Sequence, residues 1–375
     1  MSKVTLGQVA TEVRECTKDP AGLPIVGLEH LIPGEIRLTQ WSETSENTFT
    51  KLFHKGQVLF GRRRAYQKKA AVADFDGVCS GDITVIAAKP DRLLPDLLPF
   101  IVNDDRFFDF AMEKSAGSLS PRVKWAQLAE YAFDLPDDIE EQRSHAKLLW
   151  AIERSRSAYQ NLLSQMDELV KSQFVEMFGD LRTAPKYDLV PLATILTVER
   201  GGSPRPIEDY ITDSADGVNW IKIGDAEEGS IYISRTKERI RPEGTRKSRH
   251  VEPGDFLLSN SMSFGRPYIL QIDGYIHDGW LVLHDNNGVF NKLFLHSLLS
   301  SAYAAEMFES MAAGSVVKNL NKELVGRLPI PIPPAGEQER FAAFVEKIDK
   351  SKLAIRQALE SLEKSRSAIM TKVFG

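Results

Sequence analysis

The sequence "LPIPIPPAGEQERF" at residues 328–341 decides the fold, because four prolines stand directly before an acidic run. Each proline ring holds its own backbone and that of the preceding residue in extended conformations, so residues 329–334 cannot form the interior of a helix. Pro333 or Pro334 can still occupy the start of a following helix, where Glu337 favours the positive end of the helix dipole. The stretch therefore predicts a stiff joint in front of a long helix.

A related joint occurs earlier in the chain. The sequence "LPDDIEEQ" at 135–142 offers Asp137 and Asp138 as helix caps and then the same Glu-Gln pair. Four pairs of anchors recur in one order at offsets of 196 to 198, and we interpret the chain as two copies of a unit of about 185 to 195 residues. The anchors are Glu141 and Glu337, "AGS" at 116–118 and 313–315, Gly56 and Gly254, and the ends "MFG" and "VFG" at Gly179 and Gly375.

The composition limits the class of protein. The chain has 375 residues, of which 42% are hydrophobic and 26% charged, so it is long enough for two or more packed domains. Its net charge of −5 argues against a generally basic surface and leaves local patches for contact with nucleic acid. Cys16 and Cys79 match neither a disulfide framework nor a zinc motif. No apolar run reaches 18 residues and no leader is visible, so we expect a cytoplasmic protein without a membrane partner.

Each copy ends in a long helical pattern and begins with short strand-like runs. Apolar residues recur every three or four positions from Leu148 to Met177 and from Phe341 to Val373, which predicts helices of roughly 55 Å. Their narrow apolar stripes predict that the helices pair as in a coiled coil, with single surface-packed helices as the alternative. Runs such as "GQVLFG", "GDITVIAA" and "GDFLLSNS" predict strands. We predict an α/β (α+β) fold with two domains of mixed or antiparallel sheet, joined by the helices into an elongated dumbbell.

The common catalytic signatures are missing from the sequence. It contains no Gly-Lys dipeptide for a phosphate-binding loop, no HExxH and no GxSxG. The acid-x-Lys pair typical of many DNA nucleases is absent, as are the Asn-Pro and Pro-Cys dipeptides typical of DNA methyltransferases. We therefore expect no catalytic residue, metal site or cofactor-binding site in this chain.

A basic loop follows a predicted strand in the first copy. The sequence "GRRRAYQKK" at 61–69 groups cations around an aromatic ring and an amide, which can contact phosphates and base edges, although a solvated hairpin tip is the alternative. "GSLSPRVKW" and "GSVVKNLN" each set a Gly-Ser turn before a cation, where backbone amides could hold a phosphate or a loop could simply meet a helix. The candidate residues in these segments are Arg62, Arg63, Arg64, Tyr66, Gln67, Lys68, Lys69, Arg122, Lys124, Lys318 and Asn319.

The positively charged residues of the second copy are spread over more of the sequence than those of the first copy. Its candidates for DNA contact follow the strand "GDFLLSNS" or lie in the segments "RGGSPRP" and "RTKERIRPEGTRKSRH". They are Arg205, Lys237, Arg246, Lys247, Arg249, Asn260, Ser261, Ser263 and Arg266.

Five passages together resemble one family. They are "GQVLFGRRRAYQKKAAVADFDGVCSGDITVI", "ERGGSPRP", "WIKIGDA", "GSVVKNLNKELVGRLPIPIPPAGEQERF" and "LEKSRSAIMTKVFG", and they are similar to the DNA-specificity subunit of Type I restriction–modification enzymes. The resemblance covers nearly the whole chain and depends on the joint order of these motifs in both halves. It implies target-recognition domains at 1–138 and 181–332, each reading one half of a bipartite DNA sequence. It also implies antiparallel spacer helices at 139–180 and 333–375.

The resemblance further implies a non-catalytic role in a larger complex. Two modification subunits with S-adenosylmethionine would methylate double-stranded DNA, and restriction subunits with ATP and Mg would translocate and cleave it, so no cofactor belongs to this chain. The helices would act as a ruler between the two recognition domains. Basic loops would neutralise phosphates, while Arg64, Gln67, Asn260 and Arg266 would read base edges.

Two departures from the family pattern affect the first copy. It lacks the "RGGSP" segment found at 200–204 of the second copy. It also has Gln57 where the second copy has Asp255.

Other functions remain open at the level of sequence. The specificity subunit of a methyltransferase-only or Type IIB-like system would have the same architecture and different partners. A coiled-coil scaffold that binds no DNA is a second class, and an independent enzyme is the weakest because the catalytic motifs are missing.

Overall fold

The computed structural model describes residues 1–43, 48–115, 121–226, 230–260, 265–312 and 320–375. The chain forms two compact units, which we call unit 1 (Met1–Asn161 with Ile355–Gly375) and unit 2 (Leu162–Ala354). Each unit contains one globular copy of the repeat and half of each long helix. The "AGS" anchors lie outside the described residues.

The globular part of unit 1 consists of short strands and short helices. Its strands are β1 (Ser2–Thr5), β2 (Ala10–Val13), β3 (Ile25–Val26), β4 (Lys51–Phe53), β5 (Val58–Gly61), β6 (Ala70–Val72), β7 (Gly77–Cys79), β8 (Ile83–Ala88) and β9 (Ala132–Leu135). Its helices are α1 (Leu6–Val9), α2 (Leu98–Val102), α3 (Asp105–Glu113) and α4 (Trp125–Leu128). The first long helix, α5 (Ile139–Phe178), then begins in unit 1.

The globular part of unit 2 follows α5. Its strands are β10 (Gly179–Asp180), β11 (Ala184–Pro185), β12 (Leu189–Pro191), β13 (Thr197–Arg200), β14 (Val218–Ile221), β15 (Tyr232–Ile233), β16 (Glu238–Ile240), β17 (Arg249–Val251), β18 (Phe256–Ser259), β19 (Pro267–Leu270), β20 (Gly274–Ile276), β21 (Trp280–His284) and β22 (Pro329–Pro331). Its helices are α6 (Lys292–Leu299), α7 (Ala302–Ala312) and α8 (Lys322–Gly326), and the second long helix is α9 (Ala335–Phe374).

Both units have the same pattern of neighbouring strands. The larger sheet of unit 1 has the order β2-β8-β5-β6, and that of unit 2 has the order β13-β21-β18-β19, with β15 parallel to β19 at its edge. In the smaller sheets, β3 and β14 run parallel to β7 and β20, which pair antiparallel with β4 and β17. Strands β9 and β22 pair with β1 and β12. The predicted two-domain α/β fold with mixed sheets is confirmed.

The glycines that recur in the two copies are required by the backbone. Gly56 and Gly254 adopt φ values of 85° and 99° in the turns before β5 and β18. Gly179 and Gly375 adopt 83° and 90° after the two long helices. Residues with a Cβ disfavour this left-handed region, so these sequence anchors mark fixed points of the fold.

The departure at Gln57 preserves a local hydrogen bond. Gln57 Oε1 accepts from the amide of His54 at 2.9 Å. Asp255 Oδ2 accepts from the amide of Glu252 at the same distance. The longer side chain therefore closes the same three-residue turn, and the departure leaves the fold of the first copy unchanged.

Apolar side chains join the long helices to the globular parts. In unit 2, Phe174 and Phe178 on α5 contact Phe294 and Phe341, with ring centroids 4.8 to 5.7 Å apart. Clustered aromatic rings bury large apolar areas and favour these edge and stacked geometries. The corresponding core of unit 1 contains Leu149, Trp150, Met370 and Val373. The two long helices therefore contact each other in unit 2, as the apolar stripes predict, and both contribute side chains to the core of unit 1.

The proline-rich joint is extended, as the sequence predicts, and it is also hydrogen-bonded. Residues 329–331 form β22, which pairs antiparallel with β12. Helix α9 begins at Ala335, and the carbonyl of Pro334 accepts from the amides of Glu337 and Gln338. Pro334 therefore lies just before the first turn of α9. At the earlier joint, Asp138 accepts from the amide of Glu140 at 3.0 Å and caps α5.

A buried glutamine follows each joint. Gln142, on α5, is 1% exposed. Its Oε1 accepts from the amide of Leu94 at 2.8 Å, and its Nε2 donates to the carbonyls of Arg92 and Pro136. The side chain therefore binds the first turn of α5 to the loop that precedes α2.

Gln338 makes the equivalent contacts in unit 2. It is 2% exposed, and its Oε1 accepts from the amide of Asn291 at 2.8 Å. Its Nε2 donates to the carbonyls of Val289 and Pro333. The repeated Glu-Gln pair of the sequence thus owes its structural role to the glutamine, which holds a long helix against its globular part.

None of the helices in the described part of the chain combines the length and the apolar character needed to cross a bilayer.

Candidate nucleic-acid interface

The basic loop of unit 1 connects β5 to β6. Arg64 and Lys68 adopt φ values of 55° and 51° on either side of a single 3-10 turn formed by Ala65, Tyr66 and Gln67. In the described part of the chain they are the non-glycine residues with positive φ. Such conformations cost about 1–2 kcal/mol per residue. Strain of this kind concentrates at functional sites, so the loop is a candidate for ligand contact.

The loop presents its polar side chains outward. Ala65 is buried, whereas Arg64 is exposed and the side chain of Tyr66 is 56% exposed. The amide of Arg64 donates to the carbonyl of Pro121 at 2.9 Å, and its carbonyl accepts from Gln67. The backbone is therefore fixed, while a cation and an aromatic ring face solvent.

Two arginines of unit 1 share one carboxylate, and we call this group the Asp82 cluster. Arg122 Nε lies 2.8 Å from Asp82 Oδ1, and Arg63 Nη1 lies 3.3 Å from Asp82 Oδ2. Hydrogen bonds from Arg122, with a smaller contribution from Arg63, hold the pKa of Asp82 below its usual range. The carboxylate is therefore ionised at neutral pH, and the cluster carries a net charge of about +1.

The remaining candidate DNA contacts of unit 1 differ in how far their side chains are free to contact a ligand. Lys68 pairs with Asp105 on α3, and Lys69 Nζ donates to the carbonyl of Leu28 at 2.7 Å. Lys124 is exposed just before α4. Lys69 is therefore held by a loop of its own unit, whereas Lys124 faces solvent. Arg62 is half-buried below the loop.

Unit 2 has a comparable group at the same edge of its larger sheet, which we call the Asp278 cluster. Asp278 Oδ1 accepts from the hydroxyl of Ser203 at 2.9 Å, and Arg205 Nη2 lies 3.2 Å from Oδ2. Burial raises the pKa of Asp278, but Ser203 and the neighbouring His277 outweigh that effect and keep the pKa below its usual range. Arg205, which the sequence predicts as a DNA contact, is thus held by a charged carboxylate.

The strand registers relate the two clusters. Gly61 pairs with Ile83 in unit 1, and Ser259 pairs with Trp280 in unit 2. The next residues, Arg62 and Asn260, are therefore equivalent. The amide of each donates to the segment that enters the neighbouring strand, from Arg62 to the carbonyl of residue 82 and from Asn260 to that of residue 279. The two carboxylates lie within one residue of each other in this common frame.

The sequence predicted that Asn260 reads base edges, but its side chain is buried in the structure. Its side chain is 3% exposed, and Nδ2 donates to the carbonyl of Asp278 at 2.8 Å. The amide is directed into the loop rather than toward solvent because the backbone of residue 278 needs a donor there. Arg266, just before β19, is exposed.

A second cationic surface of unit 2 is a groove of about 690 Å³ beside β13. Arg200, Arg249 and Lys322 are exposed along it. Arg249 Nη1 lies 3.2 Å from Glu199 Oε1, so part of the charge of the groove is neutralised. Arg249 was expected from the sequence, whereas Arg200 and Lys322 were not.

The other candidates of unit 2 are spread over its smaller sheet. Arg246 and Lys247 are exposed in a 3-10 turn before β17. The carbonyl of Lys247 would lie 2.5 Å from a Cβ at Gly202, so this turn packs against the "RGGSP" segment. Lys237 Nζ donates to the carbonyl of Gly224 and lies elsewhere on the sheet. Ser261, Ser263, Lys318 and Asn319 lie outside the described residues.

Sequence reasoning missed the two carboxylates. Asp82 and Asp278 each precede a buried strand, in "GDITVI" and "HDGWLVL". An acid repeated at an offset of 196 beside cation-rich segments was the available signal. Within the described residues, no group of three or more His, Cys, Asp or Glu side chains is arranged to hold a metal ion.

The chain is similar to known proteins of one family. The family described as "Type I restriction modification DNA specificity domain" matches residues 188–364. A protein of Methanocaldococcus jannaschii assigned as the MjaX specificity subunit of a type I restriction enzyme is 21% identical over 94% of this chain and 86% of its own length. Residues 188–364 thus match a Type I DNA-specificity domain, and nearly the whole chain is similar to a Type I specificity subunit.

Further specificity subunits are similar over part of the chain or in fold. The EcoKI specificity subunit of Escherichia coli K12 is 22% identical over 48% of this chain and 41% of its own length. The crystal structure of the Type I S subunit from M. genitalium superposes with a TM-score of 0.60 at 14% identity, covering 100% of this chain and 96% of that one. A chain from a study of type I R-M complex assembly gives a TM-score of 0.57 at 21% identity, covering 99% and 97%. These likenesses support the fold of a specificity subunit.

Proposed function

We propose that this chain is a DNA-specificity subunit of a Type I restriction–modification enzyme, that it binds double-stranded DNA and that each unit reads one half of a bipartite target. One observation carries the proposal. The same sheet topology occurs twice, and in each copy a charged carboxylate at the same sheet edge pairs with arginine, with Arg63 and Arg122 in unit 1 and with Arg205 in unit 2. A repeated fold with an arginine–carboxylate cluster at the same place in each copy favours two related binding surfaces in one chain.

The exposed side chains of these surfaces can form hydrogen bonds and ion pairs with DNA. Arginine binds phosphates and donates two hydrogen bonds to guanine, so Arg64 and Arg266 are our first choices for contact. Tyr66 and Gln67 lie beside Arg64 and could contact a base edge or the sugar-phosphate backbone. The buried side chain of Asn260 instead holds the backbone of Asp278 through a hydrogen bond.

The long helices complete the proposed function. Their 40 residues each would correspond to about 60 Å of helix and would fix the gap between the two half-sites. They would also scaffold two modification subunits, which bind S-adenosylmethionine, and restriction subunits, which use ATP and Mg. This chain is then a non-catalytic subunit.

Removing a phosphate contact should reduce the salt dependence of binding. In a complex with the modification subunits, we expect Arg64→Gln and Arg266→Gln each to lower the slope of log affinity against log salt by about 0.9. Fluorescence anisotropy with a duplex at about 50 to 200 mM salt measures that slope. Lys171→Gln on α5, where Lys171 pairs with Glu168 at the surface, is the control.

The same titration separates the proposal from a scaffold that does not bind DNA. A scaffold would give no salt-dependent binding even with the unaltered chain. Equal slopes for the unaltered chain, Arg64→Gln and Arg266→Gln would exclude these two arginines from the interface.

A further inference from the structure

Two kinds of contact occur around the Asp82 cluster: hydrogen bonds between backbone groups, and contacts between the carboxylate and the arginine side chains. Backbone hydrogen bonds already hold residues 121–123 against the basic loop, from Arg64 to Pro121 and from Val123 to Arg62. The Asp82 carboxylate adds nothing to these bonds, since it contacts only guanidinium groups there. Its contacts therefore fix side chains rather than the chain path.

The Asp278 cluster separates the same two functions within one residue. The carbonyl of Asp278 accepts from Asn260 Nδ2 and Arg200 Nε and so holds the loop. Its carboxylate accepts from Ser203 and pairs with Arg205. In both units, the carboxylate thus binds exposed or half-exposed polar side chains at the proposed DNA surface.

We propose that Asp82 and Asp278 are positioning residues that set sequence discrimination, one for each half-site. This inference rests on the proposed function and deepens it. A guanidinium held by a carboxylate keeps one orientation, which reading two acceptors of a base requires. A guanidinium without that partner still attracts any phosphate, but its orientation is no longer fixed.

Removing the carboxylate should strengthen binding to non-specific DNA and weaken the preference for the cognate half-site. Asp82→Asn adds one net positive charge and should strengthen binding to non-specific duplex. It also releases Arg63 and Arg122 from a common partner and should weaken the preference for the cognate half-site. A contact that merely stabilised the fold would reduce both kinds of binding together.

The experiment uses the complete complex with its modification subunits. Long-read sequencing of DNA methylation in cells would compare the unaltered chain with Asp82→Asn, Asp82→Glu and Asp278→Asn. Affinity for a non-specific duplex would be measured with the same purified complexes. Asp91→Asn is the control, because it removes one negative charge from an exposed residue between β8 and α2, outside both clusters and both long helices.

We expect Asp82→Asn to raise methylation at sites with one mismatch in one half by about tenfold relative to cognate sites. Asp278→Asn should do the same for the other half. Both variants should bind non-specific duplex more tightly, and Asp82→Glu should keep more of the discrimination than Asp82→Asn. The control should change neither measurement.

Three results would overturn the inference: unchanged mismatch methylation in both assembled variants, relaxation of both halves by either variant, or the same changes in Asp91→Asn. If Asp82→Asn does not assemble, the arm with Asp278→Asn decides by the same criteria. A failure of the proposed function would look different, since the unaltered chain would then direct methylation to no bipartite sequence.

Discussion

Replacing either buried glutamine by leucine should lower the free energy of unfolding of its own unit by about 3 kcal/mol, which is a large part of the stability of a typical domain. Leucine fills nearly the same volume, so the loss comes from hydrogen bonds. In Gln142→Leu, the amide of Leu94 and the carbonyls of Arg92 and Pro136 lose a partner in a buried place. Each unsatisfied buried group costs about 1–3 kcal/mol, and partial relaxation limits the sum.

Hydrogen exchange measured by mass spectrometry, combined with denaturant titration, can assign the loss to one unit. Gln142→Leu should increase exchange in unit 1 around Leu94, and Gln338→Leu in unit 2 around Asn291. Gln160→Leu in unit 1 and Gln165→Leu in unit 2 are the matched controls, because both glutamines are exposed on α5. Losses no larger than those of the controls would contradict the role of the buried pair.

Removing one heptad from the middle of α5 and one from the middle of α9 should shorten the non-specific gap of the target by about three base pairs. Seven residues correspond to about 10 Å of helix, and B-DNA rises about 3.4 Å per base pair. The two half-sites should keep their sequences, because neither globular part is altered. Methylation sequencing reports the gap and both halves in one measurement.

Two further variants make this result interpretable. Replacing the same heptads by others of equal length should leave the gap unchanged. Inserting one heptad in each helix should lengthen the gap by about three base pairs. An active complex that keeps its original gap after the deletion would refute the helices as a spacer.

The repeat was predictable because its anchors are residues with special backbones. Gly56, Gly254 and Gly179 require positive φ, and the prolines at 329–334 exclude helix interior, so their positions in the sequence translate directly into turns and joints. The long helices followed from apolar spacing alone. The target-recognition boundaries at 1–138 and 181–332 stay a prediction, since the compact units each include parts of both helices.

Side-chain direction was the part that sequence could not supply. Asn260 reads as a polar residue after a strand, yet its amide turns inward to satisfy the carbonyl of Asp278. Asp82 is an unremarkable acid in a turn until the fold brings residues 63 and 122 to it. The positive φ values of Arg64 and Lys68 also depend on the loop closing over a buried Ala65. These features arise from contacts between distant segments, which no local pattern encodes.

Exchanging residues 181–332 for those of a similar specificity subunit tests whether each unit reads its own half of the target. Methylation sequencing of cells with the chimeric complex would give the recognised sequence. We expect one half to change to that of the donor, while the other half and the gap stay the same. A change in both halves, or in neither, would contradict independent reading by the two units.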